Sequence, residues 1–191
     1  MNKTVLKIIF CLSLIASLSC KKDSKSLDDM ILDDGMIVFR LDGKDWIIKN
    51  MIASYSDLTG VAGGELISLY GSVPDTLGIY KTIVLLVMDT LTINNKDYPF
   101  TGTITTGSNI EIDEGKTQTA GARYRTTNPD DTITGTGKII IANYDRMGNT
   151  ISGSFSGDIF KTNYTGNTNT VWVKTSIKSG RFSNVQVIIG K

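Results

Sequence analysis

The sequence predicts one all-β domain, a single antiparallel β-sandwich or barrel-like fold of about 8–10 strands. Three observations carry that expectation. Short apolar or alternating segments recur at intervals of roughly ten residues, the spacing of strands joined by turns. The breaks between them hold Gly43-Lys44, Gly63-Gly64, Pro74-Asp75, Asn94-Asn95 and Asn128-Pro129-Asp130-Asp131, residues that form turns through backbone freedom and side-chain bonding to the main chain. The chain also carries 23 threonines, and branching at Cβ suits a pleated surface better than a helix.

In chain order, Met36 to Asp42 reads as the first strand and Asp45 to Asn50 as the second. Asp42-Gly43 supplies a tight hairpin between them, and Trp46 a large apolar plug. Glu65 to Tyr70 follows. Tyr80 to Val87 satisfies both a helical and a strand period, and a helix over 75–88 capped by Asp75 is the alternative. Thr82, Ile83, Val84 and Val87 are β-branched, which favours a central strand covered on both faces. Thr90 to Ile93, Phe100 to Thr105 and Ala122 to Thr126 are shorter candidates.

The clearest period of two is Thr150-Ile151-Ser152-Gly153-Ser154-Phe155-Ser156, where Ile151, Gly153 and Phe155 share one face. The β-branched run Gly137 to Tyr144 precedes it, and Asp145 to Asn149 carries turn chemistry, with Gly148 free to take a positive φ. These make a hairpin over 136–157. Thr170 to Ile177 and Gly180 to Ile189 complete the set. No repeat of 20 to 50 residues runs along the chain, which argues against a solenoid or propeller.

Upstream of the domain, residues 1–19 have the parts of an export signal: basic Lys3 and Lys7, an apolar run from Ile8 to Leu18, and small residues before a cut. That run is too short to cross a bilayer, which takes about 20 apolar residues. The ending Leu18-Ser19-Cys20 resembles the lipobox of bacterial lipoproteins, although Ser17 stands where that pattern most often has Leu. The resemblance implies cleavage before Cys20 and acylation of its thiol. An ordinary secretory signal with an incidental cysteine is the alternative. Cys11 would leave with the signal, so Cys20 has no thiol to pair with, and acylation explains an otherwise orphan cysteine. Several buried acyl chains make a durable anchor, each CH₂ contributing about 0.8 kcal/mol.

Residues 20–35 read as a tether, rich in Asp and Lys and poor in apolar surface. Residues 36–191 form the β-rich domain. Loss of Lys3 and Lys7 takes the chain from 20 basic and 19 acidic residues to a formal net charge of −1. Nucleic-acid binding, which needs a concentrated basic surface, is not indicated.

The chain contains no histidine. That excludes a Ser-His-Asp triad, a Cys-His pair and imidazole metal sites. Glutamate occurs only at Glu65, Glu111 and Glu114, so hydrolysis by a carboxylate pair has few candidates. Glu111 and Asp113 look like a solvated hairpin end. Asn128-Pro129-Asp130-Asp131 is a polar turn before it is a calcium site, and Asp33-Asp34-Gly35 lacks the spacing of a calcium loop. No cofactor and no metal are implied, and the chain is expected not to be an enzyme.

Binding through aromatic residues is the expected function. On the strand from Thr170, Val171, Val173 and Ile177 would face the core, which turns Trp172 with Lys174 and Ser176 outward as a platform for a sugar ring or a partner protein.

Three blocks carry a family resemblance: Phe39-Arg40-Leu41-Asp42-Gly43-Lys44-Asp45-Trp46, then Gly137 to Asp145 with Asn149 to Phe155, and Gly180-Arg181-Phe182-Ser183-Asn184-Val185. In order and spacing they resemble an uncharacterised lipoprotein family of Bacteroidetes. The resemblance implies a secreted β-rich domain on a lipid anchor at the outer membrane, on its periplasmic or surface side, with no functional residues to carry over. Residues 54–134 match least, and individual specificity is expected there. The sequence thus points to a membrane-anchored binding protein for a glycan or an envelope protein, with an envelope assembly subunit as the alternative and a carboxylate hydrolase behind both.

Overall fold

The structure is a computed structural model, and it describes residues 27–60, 63–74, 78–101, 106–117, 120–128, 133–165, 168–169 and 172–189. The chain divides into Met1–Met30 and Ile31–Lys191. In the first unit the described structure is a single 3-10 turn, Leu27–Asp29. Everything below concerns the second unit, which is all β, as the sequence predicts.

Twelve strands are described: β1 (Met36–Leu41), β2 (Lys44–Ile48), β3 (Ile52–Asp57), β4 (Glu65–Pro74), β5 (Tyr80–Asp89), β6 (Asp97–Pro99), β7 (Gly107–Thr117), β8 (Ala120–Arg125), β9 (Gly137–Asp145), β10 (Thr150–Thr165), β11 (Thr168–Asn169) and β12 (Val173–Ile189). Strands β3, β4, β5, β7, β8, β10 and β12 pair in a closed ring. Every seam of the ring is antiparallel except β12–β3, which is parallel. Closure removes the open edges that would otherwise invite aggregation. The hairpin β1–β2 extends from β12, β9 and β6 extend from β10, and β11 pairs with the end of β10.

The ring encloses one packed core. Ile67, Leu69, Ile83, Leu85, Val87, Ile110 and Ile112 line the wall, and Phe39, Trp46, Phe155 and Phe182 fill the space between wall and hairpin. Phe39 and Trp46 stack with ring centroids 5.2 Å apart, and Phe39 also meets Phe155 at 5.7 Å. Such pairs add about 0.5–1.5 kcal/mol beyond burial. The end of hairpin β1–β2 and Met51 just after it press on the inner face of β4, where a Cβ on Gly71 would lie 2.8 Å from Ile48 Cγ2 and 1.9 Å from Met51 Sδ. The hairpin's turn is the expected one: Leu41 opposes Lys44, and Asp42 and Gly43 both take positive φ, 51° and 72°. That is the two-residue geometry Asp-Gly favours.

Several expectations are corrected. The described strands outnumber the 8–10 expected. Thr90 to Ile93 is a loop, because its backbone bonds to carboxylates of the barrel wall instead of to a strand. Residues 173–177 of the first expected segment and 180–189 of the second belong to one strand, β12, which absorbs an irregularity at Ser179 (φ 52°) without ending. Asn149, not Gly148, takes the positive φ in the 145–149 turn, while a Cβ on Gly148 would meet the Asp145 carboxylate at 2.4 Å. Glu111 and Asp113 sit inside β7, on its outer face, paired with Arg125 and Arg123 of β8. Tyr80 to Val87 lies within β5, so the helical alternative for that run falls. Of Phe100 to Thr105, residues 102–105 lie outside the described residues, as do Cys20, Asp75, Val171 and residues 129–132.

Candidate functional site

The ring has two mouths, and polar side chains gather at each. At the first, the Asp42 carboxylate folds inward from the β1–β2 turn. Its Oδ2 accepts from Lys161 Nζ at 2.6 Å and from the Tyr124 hydroxyl at 3.2 Å, and its Oδ1 from Thr175 Oγ1 at 2.5 Å. Burial alone would raise the Asp42 carboxyl, but Lys161, Thr175 and Tyr124 outweigh it and hold it below the usual range. Burial, with Asp42 nearby, pushes Tyr124 up to about 12.

At the second mouth the carboxylates belong to the wall. Glu65 is in phase with Ile67 and Leu69 on β4, and Asp89 with Val87 and Leu85 on β5, so both point inward and oppose each other across the strand pair. Their side chains are 11 % and 3 % exposed. Buried carboxylates need partners. Glu65 Oε1 accepts from the Tyr55 hydroxyl at 3.1 Å, and Oε2 from the Ile93 N–H at 2.7 Å and Arg146 Nη2 at 2.7 Å. Asp89 Oδ2 meets Lys96 Nζ at 2.6 Å and the Tyr98 hydroxyl at 3.4 Å, while Oδ1 accepts from the Leu91 N–H at 3.0 Å. Burial again raises the Asp89 carboxyl, and Lys96, the Leu91 N–H and Tyr98 overcome it, leaving it below the ordinary carboxylate range. Burial and the Asp89 charge push Tyr98 up to about 12, against the opposing bond to Asn94.

Over these carboxylates the 90–96 loop and the 145–149 turn meet, and a cleft of about 520 Å³ opens between them. Ile93, Asn94, Asn95, Tyr144 and Arg146 line it. Arg146 is the centre of the arrangement. Its Nη2 bridges Glu65 and the Ile93 carbonyl (2.8 Å), and the guanidinium lies 4.7 Å from the Tyr144 ring centroid. Its pKa is raised further, chiefly by the bond to Glu65. One nitrogen is therefore committed to the wall, and Nε and Nη1 make no bond among the described residues. Asn95 Oδ1 accepts from the Tyr144 N–H at 2.9 Å, which fixes that amide with its NH₂ group still available.

The two residues expected to bind are elsewhere. Trp172 is partly exposed and precedes β12 at the first mouth, since its neighbour Val173 opposes Lys161. Lys174 faces outward as expected, but its Nζ is paired with Asp158 Oδ2 at 2.8 Å. Ile177 is buried as expected, whereas Val173 is exposed because the strand there runs past the core. Trp46, read as structural, is buried. The structure does not bring Trp172 or Lys174 to the cleft. The signal for the cleft was available in part, because an acidic residue in phase with core positions, as Glu65 and Asp89 are, needs a cation from another element.

Among the described residues, no group of three or more acidic or cysteine side chains could hold a metal ion. No helix among them is long and apolar enough to cross a membrane. Compared with protein families, curated proteins and solved structures, the chain matches none. The class of protein is defined by fold and site together: a closed, filled β-barrel with a polar cleft at one mouth.

Proposed function

We propose that this protein is an exported lipoprotein, held at the outer membrane by acylated Cys20, whose barrel is a non-catalytic module binding a glycan in the cleft of Asn94, Asn95, Tyr144 and Arg146. The observation that carries the reading is the anchoring of Arg146. Glu65 and the Ile93 carbonyl fix one guanidinium nitrogen and leave the others to the cleft. Sugar hydroxyls both donate and accept, and a guanidinium beside two carboxamides offers both functions in planar, low-entropy groups. The anchor rests on the signal-like residues 1–19 and on the resemblance of Leu18-Ser19-Cys20 to a lipobox.

Glu65 and Asp89 form the acidic pair that hydrolysis would require, but their bonding favours binding. Each is ion-paired and accepts several hydrogen bonds, and the lowered Asp89 carboxyl is not the protonated acid that glycoside cleavage needs.

The test is titration of the mature chain with cell-envelope glycan fragments by calorimetry. Arg146→Ala is expected to weaken binding at least about tenfold, the effect of losing one charge-assisted contact, and Trp172→Ala to leave it unchanged. Loss of binding in Trp172→Ala with Arg146→Ala unaffected would move the site to the opposite mouth. Absence of any glycan binding, with one stoichiometric neighbour recovered by cross-linking in cells, would favour the assembly-subunit reading.

A further inference from the structure

The mouth that carries the cleft also carries large apolar side chains that are exposed among the described residues. Leu91 is 79 % exposed, Met147 97 % and Ile189 51 %. Leu91 follows the end of β5, Met147 lies in the turn before β10, and Ile189 ends β12, which places all three at the same mouth. Two of them are held by the same device. Asp89 Oδ1 accepts the Leu91 N–H, and Asp145 Oδ1 accepts the Met147 N–H, both at 3.0 Å. Each apolar tip is thus presented on a tight, bonded turn. Held tips lose little conformational entropy when they enter a contact.

The chain reaches the barrel on this side as well. Asp34 Oδ1 accepts from Asn184 Nδ2 at 2.7 Å, and the Gly35 N–H donates to the Ser183 carbonyl at 2.8 Å. Three residues further along β12, the Val187 N–H bonds to Asn149 O, in the turn that bears Met147. Thirteen residues lie between Cys20 and Asp34, a stretch that spans at most about 50 Å even fully extended. A lipid on Cys20 would therefore hold the barrel within that reach of the bilayer, and the chain joins the barrel on the half that carries the cleft.

The geometry points to the cleft-bearing mouth as a membrane-contacting face, with Leu91, Met147 and Ile189 entering the headgroup boundary of the bilayer to which Cys20 is anchored. This rests on the lipoprotein reading. Charges near the tips are mixed, with Lys96 and Arg146 beside Asp57, Asp97 and Asp145, so apolar entry and not attraction to anionic lipid drives the contact. The cleft then opens at headgroup level, and its glycan is one carried at the membrane surface.

The test uses the exported full chain, extracted and returned to vesicles of phosphatidylcholine alone, with a spin label at Leu91→Cys, at Met147→Cys and, at the opposite mouth, at exposed Tyr80→Cys. Labels at 91 and 147 are expected to be at least about threefold less accessible to a water-soluble nickel reagent than the label at 80. Equal accessibility at all three, with an acyl mass on Cys20, overturns the docking and leaves the anchor standing. Absence of the acyl mass overturns both. Shielding that follows the protein-to-lipid ratio gives the tips to a second copy of the chain, and overturns the assignment to the bilayer.

Discussion

The two mouths of the barrel are plugged with opposite arrangements of charge. At one, the plug brings the acid: Asp42 on the β1–β2 turn reaches Lys161, Tyr124 and Thr175 on the wall. At the other, the wall holds the acids, Glu65 and Asp89, and the plugging segments bring Lys96 and Arg146. Each mouth buries one tyrosine against its carboxylate, and both are pushed up to about 12. The difference lies in what remains free. Asp42 spends its oxygens closing the barrel, with one cation matched to one acid. At the other mouth the acids face inward and are saturated, so the cations stay on the outside, and Arg146 keeps donors at the cleft that make no bond among the described residues. A wall-borne acid with a plug-borne cation leaves donors at the surface, whereas the reverse uses them to close the mouth.

The largest effect should come from Glu65→Ala, which removes the acceptor for Tyr55, the Ile93 N–H and Arg146 together. Bonds to a charged group and a stranded buried donor suggest a loss of about 3 kcal/mol in urea unfolding. Hydrogen exchange at the Ile93 amide should quicken with it, while amides at the Asp42 mouth keep their protection. Unchanged exchange at Ile93 would break the comparison.

Asp89→Asn is expected to cost about 2 kcal/mol at neutral pH, because Lys96 is partly solvated and survives the loss. Its sign with pH is fixed by the lowered Asp89 carboxyl. A depressed folded value gives stability that is present above the unfolded value of about 3.9 and lost as pH falls through the folded one. Stability of the parent chain should therefore drop below about pH 4, and the drop should be shallower in Asp89→Asn. Equal slopes in acid unfolding would show that Asp89 contributes nothing there.

Asp42→Asn should be the mildest change, about 1 kcal/mol. Asparagine tolerates the positive φ of the turn, its oxygen can still accept from Lys161 and Tyr124 and its NH₂ can donate to Thr175 Oγ1, so the charge toward Lys161 and one accepting oxygen are lost. A cost above that of Glu65→Ala would invert the ranking of the two mouths.

Much of the fold was legible because its signals are local. Asp42-Gly43 demands a two-residue turn, and Ile151, Gly153 and Phe155 alternate inward as their period requires. Strand β3 alternates over only Ala53 and Tyr55 against Ser54 and Ser56, and it is held in part by parallel pairing to β12 over 130 residues away. Strand β7 was obscured because its outer face is acidic, and only Arg123 and Arg125 on β8 make that face a strand surface. The cleft was legible least. Arg146 sat in a correctly placed turn, but its partner Glu65 lies 81 residues earlier.

By itself the sequence determined the all-β class, the hairpins, the absence of imidazole chemistry and the signal-like segment ending at Cys20, since each follows from residue types at short spacing. Only the tertiary structure decided which strands close the ring, that Trp172 and Lys174 lie at the mouth away from the cleft, and that Glu65 and Asp89 receive Arg146 and Lys96. Those outcomes depend on register around a closed barrel, where shifting one pairing by a residue turns every inward side chain outward, and no local pattern encodes that sum.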